Sequence, residues 1–336
     1  MFTVQWILDC RPGSIAALLI ILTLPVSLSG CIGSGAGATT GHNWFNSART
    51  FVTTDYGRIA VVERGQGPAV VYLHGFPLNS WHWRHQLTEL ADLRRGIAID
   101  LMGLGHSEIA DDQDLGFDAQ ADMVLATLDA MGVQTFDLVG NDSGGAVAQI
   151  IAARTPQRVR SLVLTNADVH TNWPPAALGP MRELARQGRL DELLESHLED
   201  PDIARSGLGR MAYENPDFIT PELLHAYTDP LLISPARREA VNRFVSRQDH
   251  EVTVRIESAL QQFDKPTLVL WGTADPFFAV EWAYWLRDTI PGVYRVVEFD
   301  GAMLFFTEER AREVNKLLRA HFLGLDAGLL LSETGH

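Results

Sequence analysis

The chain has 336 residues, 46% hydrophobic and 21% charged, and a formal net charge of −15. That length builds one large domain or two modest ones around a core that needs no disulfide staples, and two cysteines rule out a disulfide scaffold. The acidic balance argues against a nucleic-acid partner, which would require clustered Lys and Arg to neutralise phosphates, and fits simple solubility.

Residues 15–28 (IAALLIILTLPVSL) form an uncharged, mostly apolar run. It is shorter than the about 20 residues of a membrane span but suits the h-region of a secretory signal. The run ends in Leu28-Ser29-Gly30-Cys31, which resembles a bacterial lipobox. The resemblance implies cleavage before Cys31, a lipid on its thiol, and an exported protein held at the membrane of the cell envelope. Cys10 would leave with the signal. The flanking positive charge is weak, Arg11 being offset by Asp9, so an uncleaved N-terminal anchor is the alternative. Residues 33–41, rich in Gly, Ser, Ala and Thr, read as a flexible tether. Residues 1–30 are thus expected as a signal and 31–48 as the tether.

From residue 49 the pattern alternates between strands and helices. Residues 50–54 and 58–63 are β-rich and joined at Asp55-Tyr56-Gly57, which predicts a hairpin. Residues 69–73 (AVVYL) and 96–100 (GIAID) predict buried strands. A helix is expected over 118–132, a strand over 135–139, and a small-residue helix over 144–154. Strands follow at 159–164 and 267–271. A helix at 280–290, a strand at 294–299 and a final helix at 308–322 complete the series. Continuous apolar strands between helices mean a parallel sheet covered on both faces. The stretch 169–262 breaks the rhythm: it is strand-poor and punctuated by Pro174, Pro175, Pro180, Pro201, Pro216, Pro221, Pro230 and Pro235. It reads as a helical cap inserted into a core of residues 49–168 and 263–325, with 326–336 as a tail. Ligands of open α/β sheets bind beyond the carboxyl ends of the strands, so such a cap would cover the site.

The sharpest motif is Gly140-Asn141-Asp142-Ser143-Gly144-Gly145, between a strand and a helix. A nucleophile elbow puts one side chain on a strained turn, with small residues two before and two after it. Centring the turn on Asp142 places Gly140 and Gly144 there; centring it on Ser143 places Asn141, which is not small. Asp142 is therefore the expected nucleophile. His74-Gly75-Phe76-Pro77 follows the AVVYL strand. Such a loop aims the Phe76 N–H, paired with that of Ser143, at a developing oxyanion. His74 reads as a structural histidine. No metal-ligand spacing and no dinucleotide or phosphate loop stands out, so no cofactor is expected.

With Asp100-Leu101-Met102-Gly103-Leu104-Gly105-His106-Ser107 and Trp271-Gly272-Thr273-Ala274-Asp275-Pro276, these motifs make the sequence resemble the α/β-hydrolase superfamily. The resemblance extends from about residue 50 to 323. It implies a mostly parallel eight-stranded sheet flanked by helices with an inserted helical cap. His74-Gly75-Phe76-Pro77 followed by Trp83-Arg84-His85-Gln86 looks most like epoxide hydrolases, in the Asp-nucleophile branch that also holds haloalkane dehalogenases. In that branch the carboxylate attacks carbon to form an ester, and a His oriented by a second acid activates water. By resemblance Asp275 is the second acid, with Asp168 as the fallback.

One position departs from the family. Its His follows the last strand, where this chain reads Asp300-Gly301-Ala302-Met303-Leu304-Phe305, and Leu304 takes the His place. His170, at the edge of the cap, is the candidate surrogate base. Ser143 stands where dehalogenases carry a halide-binding Trp or an Arg. An epoxide hydrolase needs phenol donors from the cap, and Tyr213 and Tyr227 are available; Trp83 is expected to line an apolar substrate pocket. The reading is an Asp-nucleophile hydrolase with an altered or missing base, acting on a small apolar substrate. The alternatives are a triad-deficient esterase-like or lyase-like enzyme, and a degenerate hydrolase that binds a ligand or partner at the envelope.

Overall fold

The computed structural model describes residues 44–172, 174–247 and 251–330. The signal segment, Cys31 and the tether up to residue 43 lie outside the described residues. No helix among the described residues is long and apolar enough to cross a membrane.

Strands form where β-branched and apolar residues run together. β1 (Arg49–Thr54) and β2 (Gly57–Arg64) are the hairpin. β3 (Ala69–Leu73) is buried from Val70 onward, and β4 (Arg95–Ile99) from Gly96. The short α1 (Arg84–Glu89) lies between β3 and β4, and after β4 the chain runs through α2 (Phe117–Ala130). β5 (Phe136–Asp142) is buried at every residue and passes directly into α3 (Ser143–Arg154). β6 (Val159–Ala167), β7 (Thr267–Gly272) and β8 (Val293–Phe299) complete the sheet.

The order is β1-β2-β4-β3-β5-β6-β7-β8. Only the first two pairings are antiparallel; the others, β3 with β4 through β7 with β8, are parallel. In register, Val71 of β3 sits opposite Ile97 of β4 and Leu138 of β5. Parallel strands need crossovers that put helices on the faces, so both faces are dry and the strand sequences are continuously apolar. The expected α/β class and its eight-stranded, mostly parallel sheet are observed.

Between β6 and β7 the described residues are helical, with α4 (Gly179–Arg186), α5 (Leu190–Glu199), α6 (Pro221–Leu232) and α7 (Pro235–Ser246) as the longer elements. The prolines act here as starts rather than breaks. Pro221 and Pro235 open α6 and α7, where a missing N–H costs nothing. The preceding Thr220 and Ser234 cap them by accepting from the N–H groups of Leu223 and Arg237. The chain returns through α8 (Glu281–Thr289) after β7 and ends in α9 (Ala311–Asp326). α1 was not expected from the sequence, and the expected last helix is two pieces, a short turn at Phe306–Glu309 and α9.

Candidate active site

β5 ends at Asp142, whose backbone is held at φ 52° and ψ −128°. A non-glycine residue at positive φ costs about 1–3 kcal/mol, so it persists only where its surroundings enforce it. They do so by crowding. A Cβ on Gly144 would fall 2.4 Å from the Leu73 carbonyl oxygen, and one on Gly75 would fall 2.1 Å from Asp142 Oδ2. The strained residue is thus Asp142, not Ser143. Asn141 has room because its amide turns away, donating to the Thr165 carbonyl at 3.0 Å and to the Leu304 carbonyl at 3.2 Å.

The loop after β3 lies against this turn. The Phe76 N–H donates to Asp142 Oδ2 at 2.7 Å, and the Ser143 N–H also favours the charged carboxylate. His74 braces the loop: its Nδ1 lies 2.9 Å from the Gly75 carbonyl, and the Leu101 N–H donates to its Nε2 at 3.1 Å. Burial lowers its pKa to about 4, so the ring is neutral, with the proton on Nδ1.

Two more carboxyls are buried nearby, at the ends of β6 and β7. Asp275 accepts from Asn166 Nδ2 at 2.6 Å and from the N–H groups of Phe277 and Phe278. Asp168 is fully buried, and neither of its carboxyl oxygens has a hydrogen-bond partner at ordinary geometry. Burial raises Asp142 to about 7, with the Asp275 charge adding to the effect. It raises Asp275 to about 7 and Asp168 well above the usual carboxylate range, the latter with help from the Asp142 charge. No Lys, Arg or His contributes to these shifts. The three groups repel one another, and desolvation favours keeping protons among them.

Asp142 opens onto a narrow apolar cavity lined by Phe76, Leu178, Leu208, Phe244, Phe277 and Leu304, among others. Its volume is about 20 Å³, room for about one water. Leu304 lies in the loop after β8 and contributes an alkyl wall. Leu178, Leu208 and Phe244 come from the helical segment between β6 and β7, which therefore covers the carboxylate. A larger groove of about 440 Å³, lined by Asp202, Arg205, Glu214 and Met303, is open and of mixed charge; Asp142 does not line it.

A family model described as the alpha/beta hydrolase fold matches residues 68–309. The chain belongs to the α/β-hydrolase family. Epoxide hydrolase 4 of Mus musculus is 26% identical over 283 residues, 78% of this chain and 74% of that protein. A cis-3-alkyl-4-alkyloxetan-2-one decarboxylase of Shewanella oneidensis is 28% identical over 290 residues, 82% of this chain and 88% of the relative. The fold matches that of a haloalkane dehalogenase from Agrobacterium tumefaciens C58 with a TM-score of 0.69 at 24% identity, covering 82% of this chain and 96% of the other. The family, its fold and the hydrolase class agree with the reading of the sequence motifs.

This α/β hydrolase brings together Asp142, Ser143, Phe76 and Asp275, but not every expected residue. Tyr213 and Tyr227 do not line the Asp142 cavity. Their hydroxyls donate to Glu308, at 2.8 Å to Oε2 and 2.5 Å to Oε1. Glu308 is buried, and burial opposes its charge, but the adjoining Arg84 guanidinium holds it well below the usual range. A buried carboxylate recruits every donor within reach, which is why the phenols turn to it. Trp83 belongs to the core, with its ring 5.2 Å from Tyr72 and 4.6 Å from His82. His170 also faces elsewhere: its Nε2 is 3.1 Å from Glu257 and its ring lies 4.8 Å from that of Trp285. Sequence reasoning missed Asn166, Glu308 and Leu208. Asn166 has a φ of 22°, but only the paired strands show what it holds.

Proposed function

We propose that this hydrolase uses Asp142 as a nucleophile toward carbon, with a small apolar epoxide as its substrate class, admitted when the helical segment over the one-water cavity moves aside. The observation that carries the reading is a carboxylate on a strained turn, steadied by the Phe76 and Ser143 N–H groups, facing an apolar cavity. An Asp142 oxygen attacks a ring carbon, the carbon–oxygen bond of the strained ring breaks, and the freed oxygen takes a proton. Water then attacks the carbonyl carbon of the ester, and the same N–H groups hold the oxyanion that forms. Collapse returns Asp142 as carboxylate and releases a diol. Leu304 cannot accept a proton from that water, so the second half-reaction is the slow one. With a pKa of about 7, Asp142 is more fully the attacking anion as pH rises through neutrality. Asp275 raises the pKa of Asp142 and would seat a base, were one present.

Intact-protein mass spectrometry of the full-length chain with styrene oxide tests this. The expected result is an adduct on the Asp142 peptide that outlives its formation. An adduct elsewhere, or turnover that survives Asp142→Asn, would overturn it.

A second reading rests on Leu304 and on the decarboxylase relative. Loss of carbon dioxide from a strained lactone ring consumes no water, so it needs no base to hydrolyse an ester. Gas release from a cis-dialkyl β-lactone, with no hydroxy acid formed, would favour that reading over the epoxide. The lipobox-like Cys31 supports attachment at the cell envelope; loss of membrane association in Cys31→Ser would support it.

A further inference from the structure

Asp168 is a buried carboxyl of the Asp142 cluster that the scheme above does not use. Neither of its oxygens nor the neighbouring Ser143 hydroxyl makes a hydrogen bond at ordinary geometry, although the two groups adjoin and Ser143 lines the Asp142 cavity. A polar atom buried without a partner costs about 1–3 kcal/mol, and two such groups side by side call for a functional explanation. The Ser143 hydroxyl is the one side-chain contact that favours the charged form of Asp168. The backbone of Asp168 is anchored on both sides: its N–H reaches the Asp142 carbonyl at 3.4 Å and its carbonyl accepts from Gln149 at 2.8 Å. Ser143 lines the cavity, and the Asp168 carboxyl adjoins it from behind.

We propose that Asp168, acting through the Ser143 hydroxyl, is the proton store of the reaction, replacing both the phenol donors that Glu308 has drawn away and the base that Leu304 lacks. The proposal rests on Asp142 being the nucleophile. Of Asp142 and Asp168 in the resting site, Asp142, which has the N–H donors, carries the negative charge and Asp168 holds a proton. As Asp142 opens the epoxide, the new alkoxide takes the Ser143 proton and Ser143 takes that of Asp168. The ester carries no charge, so the repulsion that kept Asp168 protonated is gone, and Asp168 is left as a carboxylate. It then receives, through Ser143, one proton of the water that attacks the ester carbonyl. The other water proton leaves with the diol, and both aspartates return to their starting states. Epoxide plus water gives diol, with no other reagent. The charged groups facing Asp168 are Asp142 and Asp275. The nearby His170 is turned to Glu257.

Two probes separate this role from a structural one. Opening of styrene oxide needs a proton on the departing oxygen, whereas benzyl bromide loses bromide without one. Adduct formation on the Asp142 peptide is timed with each probe in the full-length wild type, Asp168→Asn and Ser143→Ala. The ratio of the styrene oxide rate to the benzyl bromide rate should fall at least about tenfold in both variants. Adduct decay should slow and lose its pH dependence in Asp168→Asn. An unchanged ratio and pH profile, with the adduct still forming, would overturn the proposal and leave Asp142 in place as nucleophile. No adduct with either probe in the wild type would remove the nucleophile itself, and the relay with it. Should Asp168→Asn fail to fold, Ser143→Ala, which removes the relay hydroxyl and leaves the backbone N–H in place, decides alone.

Discussion

Glu308 and the three aspartates Asp142, Asp168 and Asp275 are all buried and are treated in opposite ways. Glu308 is surrounded by donors: Arg84, Tyr213 and Tyr227, with His82 at 3.8 Å. Its pKa is driven down despite burial. Asp142, Asp168 and Asp275 have backbone N–H groups, one amide and one hydroxyl between them, and no cation, and their pKa values are driven up. The first arrangement ties Arg84, the first residue of α1, and the tyrosines of the helical insertion to the turn after β8, and it leaves nothing free to react. In the proposed reaction the second leaves a poorly solvated carboxylate to act as the nucleophile, at a cost in stability. Pairing makes a joint; lack of pairing makes a reagent.

The contrast can be broken at either end. Removing the reagent has the largest effect: Asp142→Asn should abolish the adduct and lower turnover by about 10⁴-fold, read by mass spectrometry and product formation. Removing the joint should cost stability. Glu308→Leu leaves the guanidinium of Arg84 without its carboxylate and should lower unfolding free energy by about 3–5 kcal/mol, read as a lower denaturant midpoint. Supplying the missing base sharpens the comparison: Leu304→His should speed adduct decay by about 10²-fold without the same gain in adduct formation.

The smallest effect is on pH dependence. Asp275 has a folded pKa of about 7, above an unfolded value of about 4. Between those values the folded state holds the extra proton, so stability falls as pH rises through that window. Asp275→Asn removes this slope. The variant should be more stable than wild type at pH 8, by on the order of 1–2 kcal/mol, and lose that advantage near pH 3. Thermal unfolding at the two pH values measures it.

These two regions were not equally legible in the sequence. The elbow is local: Gly140, Asp142 and Gly144 lie within five residues, and the strand-turn-helix pattern around them shows in the apolar run before and the small residues after. The strands were legible for the same reason, since burial on both faces leaves a continuous apolar run. The Glu308 group joins residues near positions 84, 213, 227 and 308, and no spacing links them. Tyr213 and Tyr227 were recognisable as donors, but not the acceptor they would choose, because that depends on a carboxylate 95 and 81 residues away. His170 is the same case, taken by Glu257 at a separation of 87 residues. Leu304 lines the Asp142 cavity; the reading that it takes the place of a His rests on its position in the loop after the last strand alone.

The most direct test of the covalent reading is a single turnover of styrene oxide by excess full-length enzyme in water enriched in oxygen-18. Attack of water on the Asp142 ester carbonyl puts the heavy oxygen into the Asp142 carboxylate and leaves the diol unlabelled in that turnover. Label in the diol, with none in the Asp142 peptide, would mean that water attacks the ring directly, and would contradict the nucleophilic role of Asp142.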